Sequence, residues 1–344
     1  MKKENLAIIS NEKTQFDGKN YFCDNIDMKS IPEGLSKDFE IELFVRKSKL
    51  ARTSHKINLN NIVISTGIIA YILKVLKTIN LNKKYLIISL SPYSFIICLL
   101  LFLLRKKVFV YLRSDGYQEY KYYSKFFGPI IYHFMFSLVS WKSELIACRS
   151  HLLKGKKGEI VSPSQINENW FDNRKSPDLS KIKLLYVGRI RVEKGIFSLL
   201  QILKKVKLDF TITIINPEKF YDKKLENEKV NIVHFEKNHE AIMEIYDQHN
   251  IFVLPSYTEG HPQVLDESLS RLRPVIIFPE ISHVKRNKEG VLVAERNSES
   301  LSNKINFIMN NYKNIQEKIT NNKFPTKKLF LNEMTKIIMQ KKYE

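Results

Sequence analysis

Short runs of branched and aromatic residues alternate with longer stretches whose apolar positions recur every three or four residues, from one end of the chain to the other. The short runs predict strands and the periodic stretches predict helices. Strands regularly separated by helices predict an α/β fold with parallel sheets. In the N-terminal half the strand-like runs are Leu6 to Ile9, Ile41 to Val45, Tyr85 to Ser89, Val108 to Leu112 and Leu145 to Cys148. A helix is expected over Ile68 to Ile79, where Ile69, Ile72, Leu73, Val75, Leu76 and Ile79 share a face. The C-terminal half predicts strands at Lys183 to Val187, Phe210 to Ile215, Asn231 to Phe235, Ile251 to Leu254 and Val275 to Phe278. Helices are expected there at Ile196 to Val206, His239 to Gln248 and Pro262 to Leu272.

The pattern lapses once, in the polar stretch from Asn167 to Ser180 that contains Pro177. This places an N-terminal Rossmann-like domain at residues 1–165, a linker at 166–180 and a second Rossmann-like domain at 181–324. Residues 325–344 form an amphipathic tail in which Leu329, Met334, Ile337 and Ile338 recur with helical spacing. It is expected to be a closing helix that packs across both domains. A chain of 344 residues suits two domains of this size.

Composition narrows the class. With 44% apolar and 27% charged residues the chain can fill two cores and is not a disordered one. The opening MKKENLAIIS turns polar after Ile9, so a first strand is expected rather than a secretory signal. The ten-residue apolar run Phe95 to Leu104 falls short of the ~20 residues a spanning helix needs, and predicts a buried helix. Three widely spaced cysteines, Cys23, Cys98 and Cys148, argue against a disulfide framework or a CxxC metal site. A cytoplasmic protein is expected.

The net charge of +20 is concentrated. Between Arg52 and Lys157 there are 17 Lys and Arg against three acids, Asp115, Glu119 and Glu144. Aromatic residues crowd the same region, from Tyr120 through Phe127 to Phe136. Attraction to anionic lipid, to nucleic acid or to a phosphorylated substrate are all compatible with this pattern, as is a plain lysine-rich surface. No RRM-like, helix-turn-helix or zinc signature accompanies it, so no nucleic-acid partner is expected.

Two constellations carry chemistry. In LLYVGRIRVEKG, Leu184 to Gly195, a strand ends at Val187 and a helix begins near Gly195. Gly188 gives a tight exit, and Arg189 and Lys194 fall in the strand-to-helix loop, at the sheet edge where open α/β folds bind ligands. Two cations beside a helix start suit a diphosphate, although a pair of solvated surface residues is an equal reading of this segment alone. In IFVLPSYTEGHPQVLDESLSRLRPVIIF, Ile251 to Phe278, Pro262 is expected at the first helical position and Gly260 lets the backbone approach a ligand. Leu265, Leu269 and Leu272 form the apolar stripe. Glu267, about 160° round the helix from Leu265, is expected to face away from the core, with Glu259 in the preceding loop reaching the same place. Such carboxylates suit acid–base work, metal binding or hydrogen bonding to a polyol.

VGRIRVEKG followed by PSYTEGHPQVLDESLSRLRPVI resembles the donor half of the retaining GT-B glycosyltransferases of family 4, with their Gly-Arg to Lys-Gly segment and E-x7-E motif. The resemblance covers about residues 182–295. It implies two Rossmann-like domains with parallel sheets facing across a cleft. Arg189 and Lys194 would hold the diphosphate of a nucleotide sugar; Glu259 would bond the donor sugar and Glu267 the ribose. Gly188, Gly260, His261, Pro262, Gln263 and Val264 would complete the donor site. No Asp-x-Asp occurs in the chain, so neither a metal nor another cofactor is expected.

The sequence also departs from that family. Ile214-Ile215-Asn216-Pro217 stands where a glycine-rich turn is common, and paired glycines after the first strand are missing. Gly18 is the nearest candidate on the acceptor side, joined by Asp115 in Arg113-Ser114-Asp115-Gly116, which lacks the usual histidine. Asp115 reads equally well as a turn residue. His234 is a further weak candidate, near the base. The expected function is transfer of a sugar from a nucleotide-diphosphate sugar to a saccharide or lipid-linked saccharide in surface-glycan synthesis, with peripheral contact to an anionic membrane at its inner face. The alternative is a GT-B-like nucleotide-sugar-binding protein without transfer, such as an epimerase or an inactive subunit.

Overall fold

The structure, a computed structural model, describes residues 3–49, 55–82, 84–217, 225–234 and 239–340. The chain divides into two compact units, residues 1–163 with 327–344, and residues 164–326.

In the first unit, chain order runs β1 (Glu4–Phe16), β2 (Tyr21–Cys23), α1 (Asp27–Leu35), β3 (Phe39–Lys47), β4 (His55–Ile57) and β5 (Ile62–Ser65). It continues with α2 (Ile68–Lys77), β6 (Lys84–Ile88), α3 (Pro92–Leu103), β7 (Lys107–Leu112), α4 (Gly116–Tyr123), α5 (Phe127–Lys142), β8 (Glu144–Ala147) and β9 (Gly158–Ile160). The parallel strands lie in the order β5-β3-β1-β6-β7-β8-β9. The order reverses at β1, as in a doubly wound Rossmann sheet. β2 and β4 add antiparallel pairing at the far end of β1, beyond a register shift between Ile9 and Lys13. The expected strands are present, and each is buried on both faces as a covered parallel sheet requires.

The second unit follows the same plan. It comprises β10 (Ile182–Val187), α6 (Ile196–Leu203), β11 (Phe210–Asn216), β12 (Val230–His234), α7 (His239–Gln248), β13 (Ile251–Leu254), α8 (Gln263–Ser270), β14 (Val275–Ile277) and β15 (Val291–Val293). Two helices follow, α9 (Ser298–Asn310) and α10 (Tyr312–Thr320). All six strands are parallel, in the order β12-β11-β10-β13-β14-β15. The reversal falls between β10 and β13. The expected strand end at Phe235 lies outside the described residues.

Several expectations change. The stretch from Ser164 to Ser180 folds with the second unit rather than hanging between two domains. Ile166 and Trp170 lie in that unit's core. Arg271 donates to the carbonyls of Trp170 (2.9 Å), Asp172 (2.7 Å) and Asn173 (3.1 Å), and Arg273 to that of Lys175 (2.7 Å). Backbone carbonyls without a regular partner are thus satisfied by two buried guanidiniums. The tail is helical as expected, α11 (Lys327–Met339), and Phe330, Met334, Ile337 and Ile338 enter the first unit's core. Leu329 is on its exposed side. The run Phe95 to Leu104 buries only one face: Ile97, Cys98 and Leu101 are enclosed, while Ile96, Leu103 and Leu104 are exposed.

Candidate functional site

The loops leaving β10 and β13 flank the reversal of strand order in the second unit, the place where such sheets bind ligands. Sequence dictates their shape. After Val187 the chain passes Gly188 and Arg189, makes a short 3-10 turn at Val192–Lys194, and enters α6 through Gly195. The Tyr186 hydroxyl, buried, donates to the Arg189 carbonyl at 2.9 Å and fixes that backbone. Burial, and then the nearby Glu259, push the Tyr186 phenol well above its ordinary pKa, so it remains a donor.

Gly195 is the joint between the two loops. Its φ of +68° is left-handed, and a Cβ there would stand 1.9 Å from the Pro255 carbonyl oxygen. Any side chain is therefore excluded twice, by conformation and by contact. The Tyr257 amide donates to the Glu193 carbonyl at 3.0 Å, a second tie between the loops. Across this joint the Lys194 ammonium meets Glu259 Oε1 at 2.7 Å, and the Ser256 hydroxyl donates to the same oxygen at 2.7 Å. Both charged side chains are mostly enclosed, 26% and 12% exposed. Arg189 is exposed on the same loop.

Pro262 caps α8 rather than opening it. Its ψ of 103° is extended, and Gln263 is the first helical residue. A proline cap offers no side-chain acceptor; the Leu265 amide donates to the Pro262 carbonyl at 3.1 Å, and the positive end of the helix dipole lies at this loop. His261 Nε2 lies 3.3 Å from Asp266 Oδ2, and Lys288 pairs with the other oxygen of that carboxylate. Burial raises the Asp266 pKa, but the His261 hydrogen bond and the Lys288 charge outweigh it and hold the carboxyl below its ordinary value. His283 Nε2 lies 2.9 Å from the Glu259 carbonyl oxygen. The loop carrying Glu259, Gly260 and His261 is therefore braced from both ends.

Glu267 corrects the helical-wheel expectation. It is buried, 7% exposed, because α8 is enclosed on both sides from Leu265 to Ser270. The 168–171 turn also packs against α8, held by the Arg271 bonds described above. The Tyr246 hydroxyl, from α7, donates to Glu267 Oε2 at 3.0 Å. Burial and the Glu267 carboxylate raise that phenol's pKa well above its ordinary value.

The two acceptor-side candidates lie in the first unit and have local duties. Gly18, φ +100°, sits in the turn joining β1 to β2, where Asp17 accepts from the Lys19 and Asn20 amides. Asp115 caps α4, accepting from the Tyr117 and Gln118 amides, and pairs with Lys154 at 2.9 Å. The turn reading of Asp115 is the one its contacts fit. His234 Nδ1 lies 3.2 Å from the Asn216 carbonyl oxygen, at the ends of β12 and β11.

Three residues of this site carry no sequence signal. Ser256 and Tyr246 hold the two glutamates. Arg296 braces the loop after β13, donating to the Pro255 carbonyl (3.0 Å) and to Glu280 (2.8 Å), with its guanidinium 4.2 Å from the Tyr257 ring centre. Only spatial proximity reveals them.

Residues 168–324, which include both loops, match the sequence model of glycosyl transferases group 1. No curated protein matches the chain in sequence. Among solved structures, Anabaena Alr3699/HepE in complex with UDP-glucose is similar, with a TM-score of 0.69 at 14% identity, covering 97% of this chain and 98% of that one. WaaG, a glycosyltransferase involved in lipopolysaccharide biosynthesis, gives 0.65 at 12% identity over 98% and 100%. A Listeria monocytogenes protein described as a putative UDP-N-acetylglucosamine 2-epimerase gives 0.54 at 12% over 96% and 94%. At these identities the likeness concerns the fold. Residues 168–324 thus carry the group 1 glycosyl transferase pattern, on a chain with the two-domain α/β fold of GT-B glycosyltransferases.

Proposed function

We propose that the chain is a retaining glycosyltransferase of family 4 type that moves a sugar from a nucleotide-diphosphate sugar to a saccharide or lipid-linked saccharide during surface-glycan synthesis, of the capsule, O-antigen or lipopolysaccharide kind. The observation that carries the reading is the joint at Gly195, which brings Lys194 and Glu259 together where the strand order reverses. The UDP-glucose complex of a protein with this fold and the lipopolysaccharide role of another support the donor and the glycan class.

The chemistry follows from charge. As the bond from C1 to the diphosphate breaks, the sugar becomes oxocarbenium-like and negative charge grows on the leaving phosphate. Arg189, Lys194 and the first turn of α8 supply positive charge for it. Lys194 is paired with Glu259. A diphosphate competes for that ammonium, and Glu259, still held by Ser256, is released to accept from hydroxyls of the donor sugar. Glu267, oriented by Tyr246, is assigned to the ribose diol. Gly188, Gly260 and the backbone from His261 to Val264 shape the remaining donor contacts.

The proposal requires no divalent ion, so turnover should survive EDTA unchanged. The decisive assay incubates the protein with UDP-, GDP- and ADP-sugars, with and without saccharide acceptors, and follows nucleoside diphosphate release. Acceptor-dependent release is expected. An isomerised nucleotide sugar without transfer would replace this reading with the epimerase one, which the Listeria protein's similar fold keeps as the alternative. The cation excess between Arg52 and Lys157 further supports peripheral association with an anionic inner leaflet, close to a lipid-linked acceptor.

A further inference from the structure

The membrane association proposed above rests on charge alone, which would hold the protein near the headgroups but not in them. The first unit contains something more. α5 is apolar on two opposite sides, with His133, Ser137 and Ser140 on one flank between them. Gly128, Tyr132, Met135, Phe136 and Val139 enter the core, as a helix packed on a sheet requires. The opposite side carries Phe127, Ile130, Ile131, Phe134 and Trp141, spaced so that they share one stripe, and these are between 49% and 76% exposed. Phe126, at the helix start, is 71% exposed.

The stripe does not end with the helix. Phe134 packs edge-on against Phe95 of α3, ring centres 5.9 Å apart. From there the apolar surface continues along α3 through exposed Ile96 and Leu103. A face of this kind is far larger than the scattered apolar residues normal on a soluble surface. α5 is sixteen residues long, and among the described residues no helix is long and apolar enough to cross a membrane.

The rim identifies the occupant. Exposed Lys121 and Lys125 precede α5, Lys142 ends it with its ammonium 4.9 Å from the Trp141 ring centre, and Arg105 follows α3. The acids of this region are spent elsewhere: Asp115 pairs with Lys154 and Glu144 with Lys107, leaving Glu119. An apolar stripe with cations at both ends and a tryptophan at the boundary matches an anionic bilayer surface, with its acyl chains below and its phosphates at the level of the lysines. A second copy of the chain would bring the same cations against themselves.

We propose that the outer face of α5, with the adjoining face of α3, inserts into the headgroup–acyl boundary of an anionic membrane. This deepens the peripheral reading above, and the experiment separates the two. Vesicles of phosphatidylcholine alone and of phosphatidylcholine with 30% phosphatidylglycerol are co-sedimented with wild type, with Ile131→Glu/Phe127→Glu and with Lys125→Glu/Lys142→Glu, at low salt and at 1 M NaCl. Thermal midpoints of the three proteins serve as a folding control, since all four side chains are exposed. Insertion predicts binding to the anionic vesicles that persists in part at 1 M NaCl and falls at least tenfold in the Ile131/Phe127 variant. Binding that vanishes at 1 M NaCl and is unchanged in that variant would overturn insertion and leave electrostatic association standing. No binding to either vesicle would overturn both, and a wild-type dimer dispersed by Ile131→Glu would assign the face to self-association instead. Nucleoside diphosphate release with a soluble acceptor should be the same in all three proteins, because none of these residues belongs to the donor loops.

Discussion

Lys194 and Glu259, on loops that leave neighbouring strands, form a 2.7 Å ion pair. Each is therefore the other's counter-charge until a diphosphate arrives. Lys194→Ala should lower kcat by ~100-fold or more, the usual scale for losing a charged donor to a developing anion. Glu259→Gln should be comparably impaired, and the double variant should lose less than the product of the single losses, because the two residues act as a unit. A complete kinetic cycle with the identified donor checks this. Multiplicative losses would show that the pair is incidental.

Tyr246 reaches Glu267 from α7 with a single hydrogen bond, inside the core. Tyr246→Phe keeps the ring against Trp170 and removes only the hydroxyl. It should raise the donor KM severalfold with a smaller change in kcat, since the bond orients a ground-state ligand contact. The fold should lose about 1–2 kcal/mol through the partly unsatisfied carboxylate. Glu267→Gln should weaken donor binding further. Thermal-shift titration with the nucleoside diphosphate measures both, because a bound ligand raises stability by RT ln(1 + [L]/Kd). Unaltered titrations in both variants would remove Glu267 from the site.

Arg271 and Asp247 are buried together, each 3% exposed. Arg271 donates to both oxygens of Asp247 and to three carbonyls of the segment leading into the second unit. Arg271→Met should cost ~3–5 kcal/mol, the scale for stripping one partner from a buried pair. The freed carbonyls of Trp170, Asp172 and Asn173 add to it. Denaturant midpoints would show the loss, and limited proteolysis should cut near residues 170–175. A variant as stable as wild type and uncut there would mean that the buried Ile166 and Trp170 with the Arg273–Lys175 bond anchor the segment without Arg271.

Contacts of this long-range kind mark where sequence reading stops. The alternating pattern predicts β1, β3, β6, β7 and β8 of the first sheet, β10 to β14 of the second, the helices α6 to α8 and the two loops at the reversal, because each depends on residues near one another in the chain; the short edge strands β5 and β9 escape it. Glu267 was assigned to an outward face by a calculation that knows one helix and one core. Elements distant in the chain enclose it, Tyr246 of α7 bonding its carboxylate and the 168–171 turn packing on the same helix, and long-range capture of that kind leaves no periodicity. β15, α9 and α10 went unassigned among polar residues, and short β2 and β4 form only through pairing with β1 and each other. Pro262 moved by one position because a proline is equally acceptable as the cap. The run that becomes α3 departs from its expected burial for the opposite reason: its apolar content exceeds what one core can absorb.

A pH dependence follows from His249, which is partly buried between α7 and β11. Its Nδ1 lies 2.6 Å from the Ile245 carbonyl oxygen and its Nε2 lies 2.8 Å from the Thr213 hydroxyl. A carbonyl can only accept, so Nδ1 carries the proton, and Nε2 accepts from Thr213. The neutral ring satisfies both partners, and a second proton would face a hydroxyl in a partly buried site. Burial, reinforced by the charges of Lys183 and Arg273, lowers the His249 pKa from its ordinary 6.5 despite the Ile245 hydrogen bond. The unfolded chain therefore takes up the proton before the folded one does. The contribution of this group is fully present above pH ~6.5 and is lost as pH falls from there toward the lower native value. Stability of the wild type, measured by urea midpoint between pH 7.5 and 5, should decline over that window. In His249→Gln, which keeps a donor and an acceptor but does not titrate, the decline should be visibly shallower. Equal slopes in the two proteins would place the titration elsewhere in the chain.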